Sequence, residues 1–227
     1  VCQIRGRVQV IFAGKKLENE NCFWVDGNII RYNFNGDSGK IIDTRAMKLK
    51  GFHNYLNACI AAAVSMVAGA DTTAIEKGIC SFKGLAHRLE FVDIVNGVGW
   101  YNDSKSTTAE SIVAAVEAFE HVYLIAGGRD KGCEFEAVND ALKRHAKAVY
   151  LIGEAAQRIK SIWNGIVPIH MASSLEDAIS SIHTDAEKGD AVVMSPGCSS
   201  FDMFKNYEER GAIFRQLVRN LPGDHQC

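Results

Sequence analysis

The chain has 227 residues, a formal net charge of −2 at pH 7 and 47% hydrophobic residues. A length of this order covers one large or two modest domains that bury a core without disulfide or metal staples. The near-neutral charge argues against nucleic acid as the main partner, and no apolar run reaches the ~18 residues of a membrane span.

Residues 1–50 read as short strands. QVIFAG, CFWVDGNIIRYNF and KIIDTRAMKL are apolar or alternating runs, and Asp26-Gly27 and Asn35-Gly36 signal turns between them. A helix follows from about His53 to Val67, ended by Gly69, and its Ala-rich stretch ACIAAAVSMVAGA (58–70) reads as packed. Asp71 caps a second helix over 72–80. SFKGLAHRLE (81–90) has turn character, and a domain boundary falls near Ala86–Arg88. LEFVDIV and VGWYN then flank Asn96-Gly97, a hairpin signal.

The remainder alternates. Helices are expected over 108–119, 134–146, EAAQRIKSIW, SLEDAISSIHTDA and 206–221, and strands over 121–128, 148–153, IVPIH and 190–196. Strands alternating with helices over ~140 residues imply an α/β fold with a doubly wound, mostly parallel sheet, preceded by a β-rich and helical segment. The seven cysteines are odd in number and form no CxxC pair, so a metal site is not indicated and a reducing, cytoplasmic setting fits. Val1 is not a methionine and opens inside a strand pattern, so the chain is expected to be part of a longer one.

In an open α/β sheet, ligands bind beyond the carboxyl ends of the strands. Four polar or glycine-rich segments occupy that position: NDSKSTT (102–108), GGRDKG (127–132), IGE (152–154) and SPGCSSFD (195–202). Any one of them is ordinary loop chemistry. Together they form a rim of lysines, carboxylates and hydroxyls that suits an anionic, hydrogen-bonding ligand. No complete phosphate loop accompanies them. GxGxxG follows none of the α/β strands, and Gly14-Lys15 fails the GxxxxGK[ST] pattern because Gln9 and Lys16 stand where Gly and Ser or Thr belong.

Two more stretches stand out. In GFHNYLN (51–57), Asn54 and Asn57 share one helical face near its positive end; capping by Asn54 or His53 is the simpler reading, binding of a base or phosphate the functional one. In AHRLE (86–90), Arg88 either pairs with Glu90 or Asp103 or reaches a phosphate, and spacing alone does not decide.

Taken in order, GFHNYLNACIAA, FKGLAHRLE, WYNDSKSTT, LIAGGRDKG and SPGCSSFDMFKNYEERGAIF resemble the Mur ligase family, in particular its D-glutamate-adding branch. The resemblance covers essentially the whole chain and departs at Tyr207, where phenylalanine is common. It implies that 1–87 is the last part of the central ATPase domain and 88–227 the Rossmann-like C-terminal domain. The family's P-loop, metal-binding carboxylate and histidine, and carbamylated lysine would lie upstream. It implies ATP and Mg2+ as cofactors and UDP-N-acetylmuramoyl-L-alanine and D-glutamate as substrates of a cytoplasmic monomer.

Residue by residue, the resemblance implies ATP contacts for Asn54, Asn57, Arg88 and Asp103. It implies catalytic roles for Arg88 and Lys105. It implies a D-glutamate site of Thr107, Lys131, Ser200, the Phe201 backbone and Tyr207. Cys198 lies beside that site as a small packed residue. The implied reaction runs through an acyl phosphate attacked by the amine of D-glutamate, and the chain alone, without a P-loop, is expected to be inactive. Two alternatives stand beside this reading: another amide ligase of the superfamily, such as a folylpolyglutamate synthase, and a non-catalytic α/β binding module.

Overall fold

The computed structural model describes residues 11–18, 20–49 and 51–226, and for His53 the backbone only. Gln9 and Val10 of the expected first strand lie outside the described residues, as does Val1. The chain divides into two compact units, Val1–Lys83 and Gly84–Cys227.

In the first unit, β1 (Phe12–Ala13), β2 (Cys22–Asp26), β3 (Ile29–Phe34) and β4 (Asp37–Asp43) form a sheet in the order β1-β2-β3-β4. β1 runs parallel to β2 and the other pairs are antiparallel. Two helices follow, α1 (Phe52–Val67) and α2 (Thr72–Ser81). The core sets Phe23, Ile30 and Ile42 of the sheet against Ala58, Cys59, Ala62 and Ile75 of the helices. Asp71 caps α2 as expected, accepting the Ala74 N–H at 2.8 Å. Asn54 or His53 is the expected cap; Asn54 lies inside the helix, past its cap, and the His53 side chain lies outside the described residues. Gly51, with φ 98°, is the cap of α1 and makes no side-chain bond, while the Asn54 N–H donates to the Gly51 carbonyl at 3.0 Å. The sharp bend that a glycine permits replaces a polar side chain there.

The second unit contains β5 (Glu90–Val95), β6 (Val98–Asn102), α3 (Ala109–Val116), β7 (Val122–Gly127), α4 (Asn139–His145), β8 (Ala146–Ile152), α5 (Ala156–Trp163), β9 (Ile169–Met171), α6 (Leu175–Asp185), β10 (Ala191–Met194) and α7 (Tyr207–Arg219). The sheet order is β5-β6-β10-β7-β8-β9. Only β5 and β6 pair antiparallel, through the Asn96-Gly97 turn, whose φ values of 54° and 81° suit a two-residue hairpin. Alternate residues serve the two faces. Leu124, Val149 and Val193 meet Ile112 of α3, Leu142 of α4 and Ile159 of α5. Ile125, Tyr150 and Val192 meet Ile179 of α6 and Phe214 of α7. The sheet is doubly wound, as the alternation of elements implies.

The single helix expected over 134–146 is broken. A 3-10 turn covers Phe135–Val138 and α4 begins only at Asn139. Within that turn the buried Trp163 Nε1–H donates to the Phe135 carbonyl at 2.9 Å.

Candidate active site

β6, β10, β7 and β8 are neighbours in the sheet and end at Asn102, Met194, Gly127 and Ile152. After β10 the chain passes to α7 on one face, whereas after β6 and β7 it passes to helices on the other. A crevice therefore opens at the strand ends, where this fold class binds its ligands. All four polar segments picked out in the sequence meet there.

Backbone bonds weld these loops together. The Arg129 N–H donates to the Ser199 carbonyl at 2.9 Å and the Ser199 N–H returns a bond to Arg129 at 3.0 Å. The Ala155 N–H reaches Gly128 at 2.9 Å, and the Glu154 N–H reaches Asp202 Oδ2 at 3.0 Å. This approach needs Gly128: φ is 131°, and a Cβ there would lie 2.4 Å from the Ser199 carbonyl oxygen.

Asp103 lies just past β6 and is 6% exposed. Its Oδ1 accepts the Leu89 N–H at 3.1 Å and its Oδ2 accepts Ser195 Oγ–H at 2.8 Å; Ser195 Oγ in turn lies 2.9 Å from Ser106 Oγ. Burial pushes its carboxyl up to about 6, against the pull of those two hydrogen bonds and of the Arg88 charge. The folded state therefore holds the proton more tightly than the unfolded chain, whose value is 3.8. The cost is absent below pH 3.8, grows as pH rises towards 6 and is complete above it. A shift of this size corresponds to about 3 kcal/mol. Asp103→Asn should thus raise stability at pH 7.5 by about 1–2 kcal/mol, the rest being lost as the amide re-pairs, and bring no gain at pH 4. Urea unfolding at both pH values checks this, and a loss of stability at pH 7.5 would contradict it.

Arg210 is the side chain that residue reading missed. It is 1% exposed, on α7. Its Nε–H donates to Ser104 Oγ at 3.0 Å, and its Nη2 donates to the carbonyls of Ser104 at 2.8 Å and Cys198 at 3.1 Å. One guanidinium thus ties the loop after β6 to the loop after β10. Burial lowers its pKa to about 10. A signal was present: Tyr207, Arg210, Gly211, Phe214 and Val218 follow helical spacing, so Arg210 sits in the inward stripe of α7.

The other site residues frame the crevice. The loop at 87–89 is strained, with His87 at φ 63° and Leu89 at φ 44°. It presents Arg88 to solvent, while Glu90, a suggested partner of Arg88, pairs instead with Arg215 at 2.9 Å. Lys105 is exposed, its Nζ 5.3 Å from the Tyr207 ring centre; that ring meets His87 edge-on at 5.7 Å. Lys131 is exposed, its Nζ 5.6 Å from the ring of Phe201, which is 57% exposed. Thr107 is exposed and Ser200 is buried, its carbonyl accepting the Phe204 N–H at 2.8 Å. Burial pushes the Cys198 thiol up to about 12, which fits a packed residue and not a nucleophile. Asn54 and Asn57 belong to the other unit, half-buried and exposed in the first turns of α1.

The charges are unevenly committed. Glu154 pairs with Arg129 at 2.8 Å and Asp130 pairs with Arg158. Among the described residues, no carboxylate lies within ion-pairing distance of Arg88, Lys105 or Lys131. Three cations with no carboxylate in direct contact, beside hydroxyls and loop backbone, fit an anionic ligand. The residues also fit one edge of a nucleotide: Arg88 offers an exposed donor fork, and each Asp103 oxygen keeps acceptor capacity beyond its one bond. For a metal ion, the described residues contain no cluster of three His, Cys, Asp or Glu side chains.

Residues 87–198 match the family model described as Mur ligase, glutamate ligase domain. The chain is 42% identical over 213 residues to the UDP-N-acetylmuramoylalanine–D-glutamate ligase of Geotalea daltonii, covering 93% of this chain and 47% of the relative. It is 39% identical over 212 residues to the ligase of the same name from Aquifex aeolicus, covering 92% and 48%. The chain therefore spans about half the length of the curated relatives it matches. Two solved structures share the fold: a pseudomurein peptide ligase type C from Methanothermus fervidus (TM-score 0.63, 14% identity, 89% of this chain and 42% of that one) and the Mycobacterium tuberculosis folylpolyglutamate synthase complexed with ADP (0.61, 15%, 91% and 49%). The chain belongs to the Mur ligase family, and its second unit carries that family's glutamate ligase domain.

Proposed function

We propose that this chain is the amino-acid-adding half of an ATP-dependent ligase that joins D-glutamate to UDP-N-acetylmuramoyl-L-alanine. The observation that carries the reading is the trio Arg88, Lys105 and Lys131, cations with no carboxylate of the described residues within ion-pairing distance, on a rim where Glu154 and Asp130 are already paired with Arg129 and Arg158. Relatives about 40% identical and named for that reaction support the substrates. A fold neighbour complexed with ADP supports the nucleotide.

In this reading the boundary lies near Ala86–Arg88, with residues 1–87 contributing Asn54 and Asn57 to ATP. When bound, ATP supplies the phosphoryl group that activates the alanyl carboxylate. Arg88 forks onto phosphate oxygens and Asp103 accepts from ribose hydroxyls. Lys105 offsets negative charge at the transferring group. Lys131, Thr107, Ser200 and the Phe201 N–H hold the two carboxylates of D-glutamate, and Tyr207 braces Lys105 through its ring face. Fixing the amine beside the activated carbonyl removes the entropy of a bimolecular encounter. Mg2+ would offset charge on the phosphate oxygens, and the described residues hold no cluster of three ligands for it. The enzyme acts as a cytoplasmic monomer.

The test supplies the full-length parent enzyme with ATP, UDP-N-acetylmuramoyl-L-alanine and one amino acid at a time, and measures amide product. Turnover with D-glutamate and not with L-glutamate or L-lysine is expected. Turnover with a folate acceptor and L-glutamate in its place would overturn the reading.

A further inference from the structure

We infer that segment 222–226 is a pH-sensitive latch, pinned to the outer edge of β5 by an imidazolium at His225 and released when that ring loses its proton. This device lies apart from the ligand rim.

β5 is the first strand of its sheet, so among the described residues no other strand pairs with the outer side of its backbone. An open edge invites pairing with other chains unless something covers it. Segment 222–226 does so. The Asn96 N–H donates to the Asp224 carbonyl and the Gln226 N–H to the Ile94 carbonyl, both at 3.0 Å, which makes Val95 and His225 an antiparallel pair. The Asp224 N–H also donates to Asn96 Oδ1 at 3.0 Å.

The His225 ring meets an acceptor at each nitrogen. Nδ1 lies 2.6 Å from Asp93 Oδ2, and Nε2 lies 2.9 Å from the Leu221 carbonyl oxygen. A neutral imidazole has one N–H and cannot donate to both; the doubly protonated ring can. Asp93 is 1% exposed, so its carboxylate depends on protein donors, one of which is the Ile94 N–H at 2.7 Å. The groups that face the ring are Asp93 from β5 and the Leu221 carbonyl from the turn after α7; among the described residues no other charged side chain reaches ion-pairing distance.

The bond to Asp93, and then that to Leu221, hold the His225 pKa above the ordinary 6.5. The sign follows from linkage. A histidine whose folded value is raised contributes its full stabilisation below 6.5 and loses it as pH rises through the folded value. Above that point one acceptor faces a lone pair, and the local edge pairing opens before the sheet does.

NMR of the full chain in D2O tests this. In an antiparallel pair of this type, with its hydrogen bonds made by the flanking residues, the two α-protons are in close contact. Wild type should show a strong Val95–His225 α-proton NOE, with both ring nitrogens protonated, below the His225 transition. The NOE should vanish above it. His225→Gln should lack the NOE at every pH. Asp93→Asn, a second variant at the other end of the bond, should return the His225 transition towards 6.5. An NOE of unchanged strength through the transition, or full retention in His225→Gln, overturns the latch.

Discussion

Replacing Arg210 by alanine is expected to lower the stability of the Gly84–Cys227 unit by about 3–5 kcal/mol. Two effects add. The side chain is 1% exposed, so its loss leaves a cavity lined by Gly128, Ser104 and Cys198. It also strands the carbonyls of Ser104 and Cys198, which lose their donor. An opposing effect has to be weighed: a buried charge is costly, and replacing buried ions by apolar groups is often neutral. That holds when the partners are replaced too. Here the partners are backbone carbonyls, which no substitution at 210 removes, so the loss wins. For a unit of this size each kcal/mol corresponds to about 2–4 °C, so the midpoint should fall by about 6–20 °C. Urea unfolding followed at the indole N–H signals of Trp100 and Trp163, both in this unit, measures it. A change below about 1 kcal/mol would show that the guanidinium does not clamp the two loops.

Gly211→Ala should act against the usual rule. In a helix interior, glycine to alanine stabilises by about 0.8–1 kcal/mol. At Gly211 a Cβ would lie 2.1 Å from His87 Nδ1 and 3.0 Å from Asn102 Nδ2. His87 is buried, so its ring has little room to yield without unseating the strained loop that presents Arg88. Overpacking of this kind costs about 1–3 kcal/mol or more, which outweighs the helical gain. The expected result is a net loss of about 1–2 kcal/mol together with displaced backbone signals for 87–90. A stabilised variant with those signals unmoved would remove the claim that α7 seats the loop. Either variant also displaces groups that flank the crevice, so both should weaken ligand binding more than their stability loss explains.

Much of this fold could be read before any coordinates. The continuous apolar runs VYLIAG and AVYLIG, the Asn96-Gly97 turn and the Asp71 cap each follow from short-range chemistry, and each is present. The four rim segments were found because strand ends in a parallel sheet must meet. What sequence could not supply was long-range. The Trp163 bond to the 3-10 turn at Phe135 joins residues 28 apart, and the Glu90–Arg215 pair joins residues 125 apart. The Arg210 clamp spans 106 positions to Ser104. Such partners are chosen by tertiary packing, and no local period announces them. Asp103 was picked out as a polar loop residue, yet its depth depends on Ser195, 92 positions later.

The central claim is that the rim of the second unit receives D-glutamate. Titrating the 15N-labelled chain with D-glutamate and, separately, L-glutamate tests it directly, with Lys131→Ala as a control. The account predicts saturable shifts with D-glutamate at Thr107, Lys131, Ser200 and Phe201, weaker or absent shifts with L-glutamate, and loss of the D-glutamate response in Lys131→Ala. Equal responses to the two enantiomers, or shifts confined to residues away from these loops, would contradict it.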